Sequence, residues 1–230
     1  MAPYAEVPVG KLVIERPERA RVFERHAIDY CCGGKATLAQ ACEEKSIPLD
    51  RLEAELASLD ATPTKNPPPP SDAVALIEHI LATHHVFLKE AFVRVSGLAD
   101  KVKRAHRERH PELDEVAATW EQLRADLEPH LMKEEQVLFP WIRELKSSGG
   151  QVLGRPSVQA PIGMMEYEHV QAGELLAKLR QLTGGFSVPS DACPTFHAFY
   201  AALEEMERDT HEHIHKENNL LFPLALGLEA

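Results

Sequence analysis

The 230-residue chain has little cysteine, few aromatics and no excess of positive charge. Its four cysteines, two of them adjacent at Cys31 and Cys32, are too few for a disulfide scaffold. No Cys-x-x-Cys pair supports a zinc ribbon. Lys and Arg number 25 against 36 Asp and Glu, a formal net charge of −11. That balance argues against nucleic acid and against an anionic membrane surface, both of which call for a basic face. No apolar run approaches the roughly 18 residues of a membrane-spanning helix. Residues 1–11 lack the apolar region of a signal peptide. A soluble, cytoplasmic protein is the expectation. No segment alternates for long between apolar and polar residues, so strands are not expected either.

Histidine is abundant. Eight of the twelve fall in three short clusters, at 79–85, 106–110 and 211–215. Two stretches containing histidine repeat one pattern: His130-Leu-Met-Lys-Glu134-Glu-Gln-Val-Leu-Phe139-Pro140 and His213-Ile-His-Lys-Glu217-Asn-Asn-Leu-Leu-Phe222-Pro223. Residues four apart share a helix face, so each His and Glu can reach one metal centre.

The chain divides into three parts. Residues 1–60 read as a small helical module: a short extended lead, a helix over 15–27, a helix to about Lys45 capped by Thr37 and Gln40, and a helix from Pro48 to about Leu59. Residues 61–71 hold four consecutive prolines and read as a polyproline linker. Residues 72–230 read as four long helices, about 72–97, 112–146, 162–183 and 194–222, the last ended near Pro223. An all-α four-helix bundle follows.

Heptad-like seams then select the inward residues. On the second helix they are Val116, Trp120, Leu123, Leu127, His130, Glu134, Val137 and Trp141. On the third they are Ile162, Met165, His169, Ala172, Leu176 and Leu179, and on the fourth Phe199, Leu203, Met206, Thr210, His213, Glu217 and Leu220. The first helix fixes its face with Ile77, Leu81, Leu88, Phe92 and Val95, and His84 and His85 straddle it equally. An internal repeat favours His85: it precedes His130 by 45 residues, as His169 precedes His213 by 44. The expected ligands are His85, His130, Glu134, His169, His213 and Glu217. Two ionised glutamates in core seams are costly unless coordinated. Four imidazoles and two carboxylates exceed one tetrahedral zinc and suit two iron ions, non-haem, carboxylate- and oxo-bridged.

Other residues are expected to matter less or differently. His211-Glu212-His213-Ile214-His215 matches the zinc-protease pattern, but the apolar seam carries His213 and Glu217, leaving His211 and His215 turned to solvent or behind the ligands. His106 is expected to be exposed. Glu168 is a candidate acid at the edge of the site. Cys31 and Cys32 precede a capped helix, whose N-terminus would lower a thiol pKa, so they are candidate redox, iron-handling or nitric-oxide-handling residues. Cys42 and Cys193 read as structural. Pro129, beside His130, threatens a kink.

On these residues the bundle resembles hemerythrin-like domains. The whole chain resembles the Repair of Iron Centres family, through Asp29-Tyr-Cys31-Cys32-Gly33-Gly34, the two His-x-x-x-Glu stretches and Glu168-His169 with Ala172-Gly-Glu-Leu-Leu. The resemblance implies a di-iron protein induced by nitrosative or oxidative stress. Its work would be repair of damaged or apo iron–sulfur proteins, by donating iron or by binding nitric oxide or dioxygen. It carries the ligand role to the same six residues, with Glu134 and Glu217 bridging. A nitric oxide reductase and an oxygen or nitric oxide sensor are the competing readings. The linker also permits a homodimer.

Overall fold

The structure is a computed structural model and describes residues 4–64, 69–152, 154 and 156–229. Much of the proline linker lies outside these residues. Among those described, the regular structure is helical, and no helix is long and apolar enough to cross a membrane.

The N-terminal module holds α1 (Val9–Glu15), α2 (Ala20–Arg25), α3 (Leu38–Glu44) and α4 (Leu49–Asp60). The expected extended lead is mostly helix. The expected helix over 15–27 is broken instead. Arg16 is extended (φ −150°), and Pro17 opens a short 3-10 turn ahead of α2. Proline disfavours the helical conformation in the residue before it, so Arg16 ends α1. At α3 the capping box forms in full: Thr37 Oγ1 accepts from the Gln40 N–H, and Gln40 Oε1 from the Thr37 N–H.

The bundle is built from four rods. The first, 73–106, is α5 (Ala73–Ile80), a π turn (Leu81–His85) and α6 (Val86–His106). The second, 112–148, is α7 (Glu112–Lys133), a π turn (Glu134–Leu138) and α8 (Phe139–Ser148). The third is α9 (Gln159–Leu182), uninterrupted. The fourth, 194–228, is α10 (Pro194–Lys216), a π turn (Glu217–Leu221) and α11 (Phe222–Leu228). Helix α6 packs on α7, α7 on α9, α9 on α10 and α10 on α6, closing a ring. Local chemistry sets the ends. Asp72 caps α5, three acidic residues occupy the first turn of α7, and Pro194 starts α10.

The three π turns change the expected seams. A wide turn inserts one residue, and the buried face slips by one after it. Val137 is half-exposed (50%) while Leu138 is buried, and Leu221 rather than Leu220 is fully buried. On the first rod the departure lies at the start of the turn, where Ile80 is buried and Leu81 only half-buried, while Leu88, Phe92 and Val95 beyond it keep the expected face. Two of the wide turns close with an i to i−5 bond, Phe139 N–H to Glu134 O and Phe222 N–H to Glu217 O. The next residue in each case is a proline, Pro140 or Pro223, which has no N–H to continue an ordinary ladder. The fourth rod therefore does not stop at Pro223. Pro129 is exposed, and α7 runs through it without a break.

The core falls into two apolar clusters. One joins the N-terminal module to the α6, α7 and α10 end of the bundle, through residues such as Phe23, Tyr30, Phe92, Trp120, Phe199 and Met206. The other gathers Ile77, Ile80, Leu138, Ile142, Met165 and Leu221 at the opposite end. Between them lies a layer of buried histidines and glutamates, level with the three π turns.

Candidate metal centre

Six polar side chains meet in that layer, and none is more than 2% exposed: His85, His130, Glu134, His169, His213 and Glu217. Their donor atoms form two overlapping groups, each within 4.8 Å. One is His85, His213, Glu134 and Glu217, and the other is His130, His169, Glu134 and Glu217. Both carboxylates belong to both groups, with their oxygens divided between them. Glu134 Oε1 lies 3.0 Å from His130 Nε2, and Oε2 lies 3.3 Å from His85 Nε2. Glu217 Oε2 lies 3.1 Å from His169 Nε2, and Oε1 lies 3.2 Å from His213 Nε2. The Nε2 atoms of His130 and His169 approach to 3.1 Å, both aimed at one point.

The pairing crosses the repeat. Each group takes the lone His of one half of the bundle and the His-x-x-x-Glu histidine of the other. Within a half, the Phe of the repeated stretch packs on the lone His instead. Phe139 lies 5.6 Å from His85 between ring centroids, and Phe222 is stacked on His169 at 5.9 Å.

The donor set fits metal cations. Both oxygens of Glu134 and of Glu217, and the Nε2 atoms of His85 and His213, are buried without a hydrogen-bond partner. Such atoms are expensive unless something positive sits among them. The electrostatics agree. Burial works against a charged His130, yet Glu134, Glu217 and Glu168 push its pKa up to about 9. His85 is raised too, with Glu134 and Glu135 overcoming burial. Burial would protonate Glu134, but His130, His85 and His213 hold it well below the usual carboxylate range. Glu217 is lowered by His213 and His169 against burial and Glu134. The two carboxylates favour protons on His130 and His85, as they would favour metal ions.

The outer ring nitrogens of three of the four imidazoles are held in place. His85 Nδ1 donates to Glu135 (2.7 Å), which also accepts from Lys89. His130 Nδ1 donates to Glu168 (2.8 Å), which also accepts from Lys133. His169 Nδ1 donates to Asn218 Oδ1 (2.8 Å). These bonds leave each Nε2 lone pair pointing inward, and a carboxylate behind a ligand imidazole increases its basicity.

The match to known families follows the geometry. Residues 76–225 match the model of the hemerythrin HHE cation binding domain, and residues 5–60 match a domain of unknown function, DUF542. The chain is 37% identical over 226 residues to the iron-sulfur cluster repair protein YtfE of Escherichia coli (strain SMS-3-5), covering 98% of this chain and 99% of that one. The same figures hold for the protein of that name in Escherichia fergusonii. The chain belongs to the Repair of Iron Centres family. Its hemerythrin-like domain is thus a cation-binding domain whose buried His and Glu groups suit iron.

Within this family member, several residues depart from expectation. His84, neighbour of His85, stays out of both groups. Its Nδ1 meets Asp209 (3.0 Å), its Nε2 accepts from Lys216 (2.9 Å), and its ring stacks on His213. His106 is buried rather than exposed, with Nε2 3.2 Å from Cys193 Sγ. His215 and His211 do not face solvent. They lie edge-on to Tyr30, and His215 Nδ1 donates to the Tyr30 carbonyl (3.1 Å). The face they occupy is covered by the N-terminal module, which the bundle's own periodicity does not reveal.

Cys31 and Cys32 lie in a turn six and five residues ahead of the Thr37 cap. Asp29 gathers the turn, accepting from the N–H groups of Cys31, Cys32 and Gly33. The Cys31 thiol is buried and raised well above the ordinary thiol value by its contact with Cys32, by burial and by Asp29, opposite in direction to the lowering expected from a helix N-terminus. Asp29, Cys31 and Cys32 still bring donor atoms within 4.8 Å of one another. Asn218 and Glu135 are functional neighbours that the seams do not pick out. The available signal is the repeat, in which both directly follow the buried glutamate.

Proposed function

We propose that this protein repairs damaged iron–sulfur clusters from a di-iron centre. One iron would be held by His85 and His213 and the other by His130 and His169, with Glu134 and Glu217 bridging both. The observation that carries this reading is the division of each carboxylate: its two oxygens face two different imidazole pairs. The relatives named as repair proteins, matched along nearly their full length, supply the client class, which is damaged or apo iron–sulfur proteins. Bound there, iron would supply ferrous–ferric chemistry and open valences for nitric oxide or dioxygen.

The chain's own groups do the rest. Glu135, Glu168 and Asn218 keep the imidazole donors aimed inward. The two apolar clusters keep bulk water from the layer between them. Two carboxylates and four neutral imidazoles leave little ligand charge, so iron is held less tightly than in an all-carboxylate cage and can be given up as cargo. Cys31 and Cys32, with Asp29, form a second group of donors that can take iron or nitric oxide in transit. Consistent with its acidic balance, the protein works on soluble clients in the cytoplasm, alone or as a homodimer, without nucleic acid or membrane.

The test is iron titration of the metal-free protein, followed by incubation with an apo-protein that needs a cluster. Two irons per chain, the visible absorption of a bridged ferric pair and transfer above a free-iron control are expected. One zinc per chain would overturn the metal assignment. Full iron loading without transfer, but with turnover of nitric oxide to nitrous oxide by an added reductant, would make the protein a reductase instead. Replacing Cys31 and Cys32 by Ser should slow transfer while leaving the iron content unchanged.

A further inference from the structure

The residue after each bridging glutamate does the same job in the two halves, with different chemistry. Glu135 accepts from His85 Nδ1, and Asn218 accepts from His169 Nδ1. A carboxylate can only accept. An amide accepts at one end and donates at the other. The donating end of Asn218 is aimed at the carbonyl of Cys31, at 3.5 Å. Asn219 bonds the same carbonyl at 2.9 Å and reaches Tyr30 O at 3.4 Å. Its counterpart in the other half, Gln136, is exposed. The π turn with Asn218 and Asn219 is pressed close to the module. A Cβ on Gly34 would stand 2.6 Å from the Tyr30 carbonyl and 2.4 Å from Asn219 Oδ1, so the approach requires glycine there.

We propose that Asn218 is a positioning residue that couples the metal centre to the Cys31–Cys32 turn. The inference rests on the metal centre proposed above. Metal on His169 Nε2 fixes Nδ1 as the ring's donor. Asn218 must then turn its oxygen to the ring, which commits its NH2 to the Cys31 carbonyl. Without metal, His169 can carry its proton on Nε2 and accept at Nδ1. The amide can then rotate to donate to the ring, placing its oxygen against the Cys31 carbonyl and loosening the turn. The Cys31 carbonyl is held by both amides while the centre is loaded and by Asn219 alone when the centre is empty. A glutamate at this position, as in the other half, would support the histidine but pass nothing on.

The decisive experiment compares Asn218→Asp with wild type, each loaded with ferrous iron under anaerobic conditions and each stripped. The readouts are iron content and hydrogen exchange of the backbone over 29–34. In wild type, loading should slow exchange of this turn about three- to tenfold, the scale of one hydrogen bond. In Asn218→Asp, which keeps an acceptor for His169 Nδ1, the loading-dependent slowing should vanish in the protein that holds iron. Asn219→Ala, which removes the fixed clamp, should raise exchange in both states and keep a loading-dependent difference. Unchanged slowing in Asn218→Asp that still holds iron would overturn the coupling. Wild-type protein that takes up no iron would overturn the metal reading itself, and the coupling with it.

Discussion

The N-terminal module and the bundle each bury charge, and they do so in opposite ways. In the module, Arg19 is 7% exposed and its donors are matched: Nε and Nη2 to Asp60, Nη1 to the Leu12 carbonyl, with the guanidinium over the Tyr4 ring at 5.2 Å. In the bundle, Glu134 and Glu217 are wholly buried, and all four carboxylate oxygens lack a hydrogen-bond partner. A satisfied buried charge ties segments together, here the N-terminal helices to the end of α4. An unsatisfied cluster is tolerated only where a ligand completes it. The difference separates structure from site without reference to any relative.

Metal removal should break this comparison most visibly. Binding to the folded state alone adds about 4 kcal/mol when free metal is a thousand times the dissociation constant. Chemical unfolding of iron-loaded and chelator-treated protein should show an increment of that order in the bundle transition. Glu134→Gln should abolish it, because the carboxylate common to both groups loses its charge and one of its two divided oxygens. An Arg19 variant should keep it in full. An increment that survives Glu134→Gln would mean that the unsatisfied carboxylates are not the site.

The next effect concerns how Glu134 comes to be buried at all. The wide turn after it moves the inward face from Val137 to Leu138. Leu138→Ala should cost roughly 2–5 kcal/mol, as large-to-small core changes do, and Val137→Ala should fall within about 0.5 kcal/mol. Equal costs measured by urea titration would argue that the seam continues in ordinary helical register.

The same slip marks the boundary of what the sequence discloses. On α9, which has no wide turn, Ile162, Met165, His169, Ala172, Leu176 and Leu179 are all buried as periodicity predicts. On the second and fourth rods the buried position slips by one within the π turn, from Val137 to Leu138 and from Leu220 to Leu221, whereas on the first rod Leu88, Phe92 and Val95 keep the expected face beyond the turn. A seam computed at fixed period has no term for an inserted residue. Phe139-Pro140 and Phe222-Pro223 are the visible trace of it: the second pair reads from sequence as a terminus, while the first lies inside the helix expected over 112–146. The six centre residues were legible because they lie at or before the slip, and because a duplicated spacing identifies His85. The crossing of the two ion groups between halves was not legible, since it depends on which rods become neighbours. Nor was the burial of His215 and His106, or the partial cover over His211. The covering surface for His211 and His215 comes from a module some 180 residues earlier in the chain.

In the module, Arg19→Met should destabilise by about 2 kcal/mol. Breaking a fully buried pair costs roughly 3–5 kcal/mol, and this pair falls short of that because the Asp60 side chain keeps 22% of its surface. Proteolysis in mild urea, followed at cleavage sites in residues 4–64, would detect it. A loss of iron in this variant would blur the contrast between tie and site.

The smallest effect is the module's response to acid. Burial favours a protonated Asp60, but the hydrogen bonds from Arg19 and Tyr4 outweigh it and hold the carboxyl below its ordinary 3.8. A depressed folded pKa contributes stability that is present above the unfolded value and lost as pH falls through the folded one. The contribution is therefore intact at neutral pH and disappears below about pH 4, with a size of at most about 1 kcal/mol for a pair at the edge of solvent. Hydrogen exchange over residues 4–25 at pH 5 and pH 3, corrected for the intrinsic rate, should show it, and Asp60→Asn should flatten the difference. The bundle answers to a different variable. Protons compete with metal for the same imidazoles and carboxylates, so its acid sensitivity should follow the metal content, whereas that of the Arg19–Asp60 tie should be the same in loaded and stripped protein.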